Sequence, residues 1–196
     1  MLNTLLVYNS YAIFCRGEHV KTAAESKNEQ TRLRIFDALL KLAESKPLAD
    51  VTVTEVCRRA SVSRMTFYRN FSSKEEVLLS RLDQLIVEYE KTTAGYLAAG
   101  ELWYGEGHIC SCFTYFKEHR DLINCLYASG YAGYFISKVA EYMIGKFWDG
   151  SREQRYTIAG FSGVLCATYE LWATDGFPDT PDELARIVSS SYTPRI

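Results

Sequence analysis

A chain of 196 residues that is 47% hydrophobic and 14% aromatic is long enough to bury a sizeable core and too apolar to be disordered. Its net charge of −2 gives no hint of a polyanionic partner, so such a partner has to be sought in a local patch. Cys15, Cys57, Cys110, Cys112, Cys125 and Cys166 lie mostly among apolar neighbours with no secretory signal evident. That argues for reduced thiols in a cytoplasmic protein and against a disulfide framework.

In chain order, residues 1–26 offer Leu5, Leu6, Tyr8, Ala12, Ile13 and Phe14 for an amphipathic turn or two. That run is too short and too polar to span a bilayer, so no membrane partner is expected. The polar stretch after it reads as an arm reaching a minor groove, with a docking segment or a start-site artefact as the plainer alternative for residues 1–26. From Glu29 to Ser45, Leu33, Phe36, Leu40 and Ala43, with Ile35 and Leu39 alongside, form the stripe of a core-facing helix, and Pro47 ends it. Thr52 and Glu55 make a T-x-x-E capping box for a short helix whose apolar face is Val53, Val56 and Ala60. Ala60-Ser61-Val62 supplies a tight turn. Ser63 caps a second helix, Arg64 to Asn70, whose Phe67 and Phe71 can face inward. Arg64, Met65, Thr66, Tyr68 and Arg69 are left facing out. Two short helices joined by a three-residue turn describe a helix-turn-helix over about 51–70. Arg58, Arg59, Arg64, Arg69 and Lys74 fall within 57–74 with no acidic residue among them, a patch of the kind phosphates need.

These residues resemble the tetracycline-repressor (TetR) family of bacterial transcriptional regulators. The likeness is carried by T-V-T-E-V, A-S-V-S, T-F-Y-R-N-F and S-K-E-E-V-L, in order and spacing over about 60 residues from Asn28 to roughly Glu88. Ser61 stands where the family prefers Gly, at a turn position that can require positive φ, which serine adopts at some cost.

The resemblance implies an all-α fold: an N-terminal three-helix DNA-binding domain with a helix-turn-helix, then a C-terminal helical ligand-binding and dimerisation domain. The expected divisions are an extension over 1–26, the head over 27–73, a connecting helix over 74–95 and the effector and dimer domain over 96–196. Carboxylates at Glu75 and Glu76 suit the start of the connecting helix, which continues to about Ala94. Glycines 100, 105 and 107 suggest a loop or broken helix over 95–107. Further helices are expected at 106–118, 119–128, 132–148, 152–175 and 181–191, with breaks at Asp149-Gly150-Ser151, Asp175-Gly176-Phe177-Pro178 and Thr180-Pro181.

The expected partners are a double-stranded DNA operator, a second copy of the chain and a small-molecule effector of unknown identity. Ser63, Arg64, Met65, Thr66 and Arg69 would read bases or adjacent phosphates, while Thr52, Thr54, Tyr68 and Lys74 would grip phosphates. Phe113, Phe116, Tyr127, Tyr131, Tyr134, Phe135, Tyr169 and Trp172 give the second domain a high aromatic density. They are candidates for an effector pocket, although any one of them also reads as ordinary core. Buried tyrosine hydroxyls need partners, and a polar ligand is one way to supply them. Gly160, Gly163 and Ala167 allow close backbone approach on one helix, and Leu184 and Ile187 lie on the next. In the family these last two long helices pair with their copies, so those five residues are the candidate dimer contact.

His108, Cys112 and His119 fall at i, i+4 and i+11, which leaves at most His108 and Cys112 able to share an ion, so no metal and no cofactor is expected. A Gly-rich phosphate loop, a nucleophile elbow and H-E-x-x-H are all absent, so neither an enzyme nor any catalytic residue is expected. The rival reading is a helical ligand-binding or protein-interaction module of coactivator type that keeps the head as scaffold.

Overall fold

The structure is a computed structural model that describes residues 23–98 and 102–192. The run from Leu5 to Phe14 lies outside the described residues. The chain divides into two compact units at Leu33/Arg34. The first contributes the opening turns of helix α1 (Ala23–Ala43), where the Thr31 hydroxyl donates to the Lys27 carbonyl at 2.9 Å. Helix α1 starts six residues before the predicted Glu29, because Ala23, Ala24 and Glu25 are good helix formers that need no apolar stripe.

The second unit runs from Arg34 onward. A single 3₁₀ turn, Leu48–Asp50, follows Pro47 and leads into α2 (Val53–Ala60) and α3 (Arg64–Asn70). Helix α4 (Lys74–Ala98) continues past the predicted end at Ala94, so Gly95 sits inside a helix and does not break it. The remaining elements are α5 (Glu106–Glu118), α6 (Arg120–Ala128), α7 (Ala132–Phe147), α8 (Arg152–Thr174) and α9 (Pro181–Ser190). These five begin and end within one residue of the spacing-based expectation. No strand occurs among the described residues, so the all-α class holds.

Local chemistry explains the ends. Thr52 and Thr180 each close a capping box, with Glu55 and Glu183 returning a carboxylate to the cap backbone. Ser63 and Ser151 cap α3 and α8 by accepting from Thr66 N–H and Gln154 N–H. Just past the end of α8 at Thr174, Gly176 with its φ of +79° lets the chain reverse, and Phe177 N–H then reaches back to the Trp172 carbonyl at 2.8 Å.

Helix α4 is the long spine between head and body. It packs on α5, α6 and α7, while α7 packs on α8 and α9 packs on α5. The core is continuous from Ile35, Leu39, Val56 and Phe67 in the head through Leu78, Leu82 and Leu85 on α4. It goes on to Phe113, Phe135, Phe161 and Tyr169 in the body. Polar ties fasten the same spine: Asp83 to Lys138 (3.5 Å) and to the Tyr134 hydroxyl (2.9 Å), and Glu90 to Lys146.

Candidate functional site

The head is built on a C-terminal cap that glycine usually fills. Ser61 has φ 54° and ψ 47°, the left-handed conformation, with its N–H bonded to the Arg58 carbonyl and Val62 N–H to the Cys57 carbonyl. This is the hydrogen-bond pattern of a Schellman cap, and it turns the chain sharply enough for α3 to cross α2. Phe67 (0% exposed) and Phe71 (3%) anchor α3 from beneath.

What α3 presents is then fixed by its period. Met65 is 75% exposed and Tyr68 49%, with Arg64 and Arg69 exposed beside them. The Arg64 guanidinium lies 6.0 Å from the Tyr68 ring centre, a cation–π contact that braces both side chains on one face. Arg58, Arg59 and Thr54 are exposed on α2. Ser63 and Thr66 are half-spent: their hydroxyls meet at 2.9 Å and Ser63 accepts from Thr66 N–H at 3.0 Å. Thr52 is engaged likewise, donating to Glu55 at 2.8 Å.

Lys74 sits differently from its expected place on a phosphate. Its ammonium donates to the carbonyls of Leu48 (2.6 Å), Ala49 (2.8 Å) and Val51 (2.7 Å), using all three protons inside the protein. It ties the 3₁₀ turn before α2 to the first turn of α4. No sequence pattern announces this, because the partners are backbone atoms more than twenty residues away.

The body contains a narrow cavity beside α4 with a volume of about 20 Å³, room for roughly one water. Leu82, Leu85, Ile86 and Tyr89 of the spine form one wall, and Cys112, Tyr115, Phe116 and His119 another. Ile123, Phe135, Val139, Tyr142 and Met143 complete it. None of these residues carries a fixed charge: burial pushes the His119 pKa down, and it pushes the Tyr115 and Tyr142 hydroxyls up to about 12.

Of the aromatics expected to form a pocket, only Phe116 and Phe135 line this cavity. Phe113, Tyr169 and Trp172 are packed in neighbouring core, with Phe113 against Trp172 at 6.0 Å. The hydroxyls of Tyr127, Tyr134 and Tyr169 are satisfied by the Cys166 carbonyl (2.8 Å), Asp83 and Asn124 (2.8 Å), so they call for no ligand. Tyr131 is half-buried at the start of α7. Tyr142, one of the aromatics that make this domain dense, also lines the cavity, whereas the sequence pointed to neither Tyr89, Tyr115 nor His119 for it; their contribution depends on how α4, α5 and α7 converge.

On α8, Tyr156 (67% exposed), Gly160, Ala167 and Leu171 (64%) line one outward face beside the half-buried Gly163, and Ile187 (61%) of α9 is also exposed. A Cβ added to Gly160 or Gly163 meets nothing within 4 Å, so neither glycine is required by its own chain. Leu184, by contrast, is only 7% exposed and faces inward where α9 packs on α5, away from the exposed Ile187. Among the described residues no group of three or more metal-ligating side chains occurs.

A helix-turn-helix with an outward basic second helix, carried by a long helix on an all-helical body, is an arrangement that can offer that second helix to a major groove. Residues 35–80 match the family described as bacterial regulatory proteins, tetR family. The chain is 38% identical over 66 residues to the HTH-type transcriptional regulator EthR of Mycobacterium tuberculosis, a match covering 34% of this chain and 31% of that one. It is 43% identical over 58 residues to the HTH-type transcriptional regulator SrpR of Pseudomonas putida, covering 30% and 26%. These matches span a third or less of the curated relatives' length.

The fold extends the likeness. A protein from Listeria innocua, Lin0861, superimposes with a TM-score of 0.69 at 14% identity over 90% of this chain and 94% of that one. A TetR transcriptional regulator from Streptococcus agalactiae gives 0.63 at 18% identity over 87% and 98%. Over residues 35–80 the chain matches the TetR family of bacterial transcriptional regulators, and with these solved structures it shares a fold.

Proposed function

We propose that this protein is a cytoplasmic, homodimeric DNA-binding transcriptional regulator, a repressor of a palindromic operator, switched by an uncharged small molecule that enters the cavity beside α4. The observation that carries the reading is the exposed face of α3. Arg64, Met65, Tyr68 and Arg69 stand clear of a helix pinned by Phe67 and Phe71, as a probe of the major groove must. Arg64 and Arg69 are suited to guanine edges or phosphates, and the nearby Arg58 and Arg59 to the backbone. The apolar strip of Tyr156, Leu171 and Ile187, with Gly160, Gly163 and Ala167 beside it, supports pairing with a second copy. Two heads are what successive major grooves about 34–36 Å apart require.

The switch follows from where the cavity lies. Leu82, Leu85, Ile86 and Tyr89 belong at once to the cavity wall and to the helix that carries the head. A molecule larger than a water has to displace that wall, and a tilt of α4 changes the separation of the two heads. The effector acts by binding the displaced state more tightly than the operator-bound one.

Selection of bound duplexes from random DNA by the full-length protein tests the reading. Enrichment of an inverted repeat is expected; a pool that stays random sinks DNA reading and favours a protein-interaction module. In the same assay Arg64→Ala should weaken binding to the selected site by about 1–3 kcal/mol and relax one base position.

A further inference from the structure

The cavity wall holds one arrangement that a merely apolar site does not need. Cys112 Sγ lies 3.0 Å from the Tyr89 hydroxyl and 3.8 Å from His108 Nε2. The other ring nitrogen of His108, Nδ1, lies 3.0 Å from the Trp103 carbonyl oxygen. A carbonyl only accepts, so Nδ1 carries the ring proton and Nε2 turns its lone pair toward the sulfur. Nε2 is therefore an acceptor within reach of the thiol proton, and the Tyr89 hydroxyl, which can donate or accept, meets the same sulfur. His108 is 1% exposed, and the Phe147 ring at 5.1 Å meets it edge-on, so the imidazole is held in this orientation. A thiol, a base that can take its proton and a third group that orients the base are the parts of an activated nucleophile.

We propose that Cys112 is a nucleophilic thiol of the cavity and takes an uncharged, apolar electrophile of the activated-alkene class by conjugate addition. It rests on the reading of the cavity as the effector site only for its consequence at the operator. Sulfur forms a C–S bond at the β-carbon of an enone, and the alkene π pair moves toward the carbonyl as an enolate. The thiol proton passes to His108 Nε2 and from there to the α-carbon, returning the imidazole to neutrality. Nothing is oxidised or reduced, and no further reactant is needed. The uncharged lining selects against ionic reagents.

Accessibility alone ranks the thiols the other way, since Cys112 is 3% exposed while Cys110 and Cys125 are half-buried. The test treats the full-length protein with less than one equivalent of methyl vinyl ketone and follows each cysteine peptide by mass spectrometry. The Cys112 adduct should build at least about tenfold faster than those at Cys110 and Cys125. His108→Gln should slow it by about tenfold or more while the other two rates stay constant, which also reports an intact fold. Tyr89→Phe, a milder change, should slow it as well. Cys112 labelling no faster than Cys110 and Cys125 in the wild type, or labelling indifferent to both substitutions, overturns the proposal. Selective labelling with operator binding unchanged supports the thiol assignment and sinks the effector role of the cavity, so the two failures are separable.

Discussion

At the scale of single residues, two positions in the head carry more than their side chains suggest. Ser61 holds a left-handed backbone that glycine enters freely and serine enters at a cost of about 1 kcal/mol. Glycine also gains freedom in the unfolded chain, so Ser61→Gly should raise stability by a net of about 0.5 kcal/mol. Thermal denaturation measures it, and a loss of stability would contradict the left-handed cap. Lys74 illustrates the opposite case, a charge that is exposed in expectation and spent in the fold. Replacing it by Met frees three carbonyls at the 3₁₀ turn and should cost about 2 kcal/mol in urea unfolding. If Lys74 served chiefly as a phosphate contact, the same variant would lose operator affinity with unchanged stability.

At the scale of elements, helix α2 owes its start to Glu55. Its carboxyl pKa is drawn from 4.5 down to about 2, first by the hydrogen bond from Lys46 (2.8 Å) and then by the Thr52 backbone and hydroxyl. A depressed carboxyl stabilises the fold above its unfolded pKa and loses that contribution as pH falls through the folded one. The wild type should therefore lose stability between about pH 4.5 and 2 through this group. In Glu55→Gln that part of the pH dependence should be missing, so its unfolding midpoint falls less steeply over the same range. Equal slopes in circular dichroism melts of the two proteins would rule the capping box out as an acid-labile joint.

At the scale of the whole molecule, the exposed strip on α8 and α9 is argued to be where two chains meet. Leu171 and Ile187 are exposed within their own chain, so charging both should leave the fold intact. Leu171→Glu with Ile187→Glu is expected to sediment as a monomer at micromolar concentration with unchanged helix content, and to lose operator binding. A double variant that stays dimeric would place the contact elsewhere.

The sequence by itself determined the helices and the head, because caps, breaks and apolar spacing are local interactions written into neighbouring residues. Thr52 with Glu55, Ser63, Gly176 and Thr180 each act within a turn or so of the chain, and so did the exposed face of α3 between Phe67 and Phe71. Only the tertiary structure decided which aromatics pack as core and which line the cavity, why Leu184 turns inward, and where Lys74 spends its charge. It alone brought Tyr89 to the Cys112 sulfur, beside the His108 that the i, i+4 spacing already set there. Those outcomes depend on the meeting of helices distant in sequence, and a residue's type and period limit the faces it can show without saying what stands opposite.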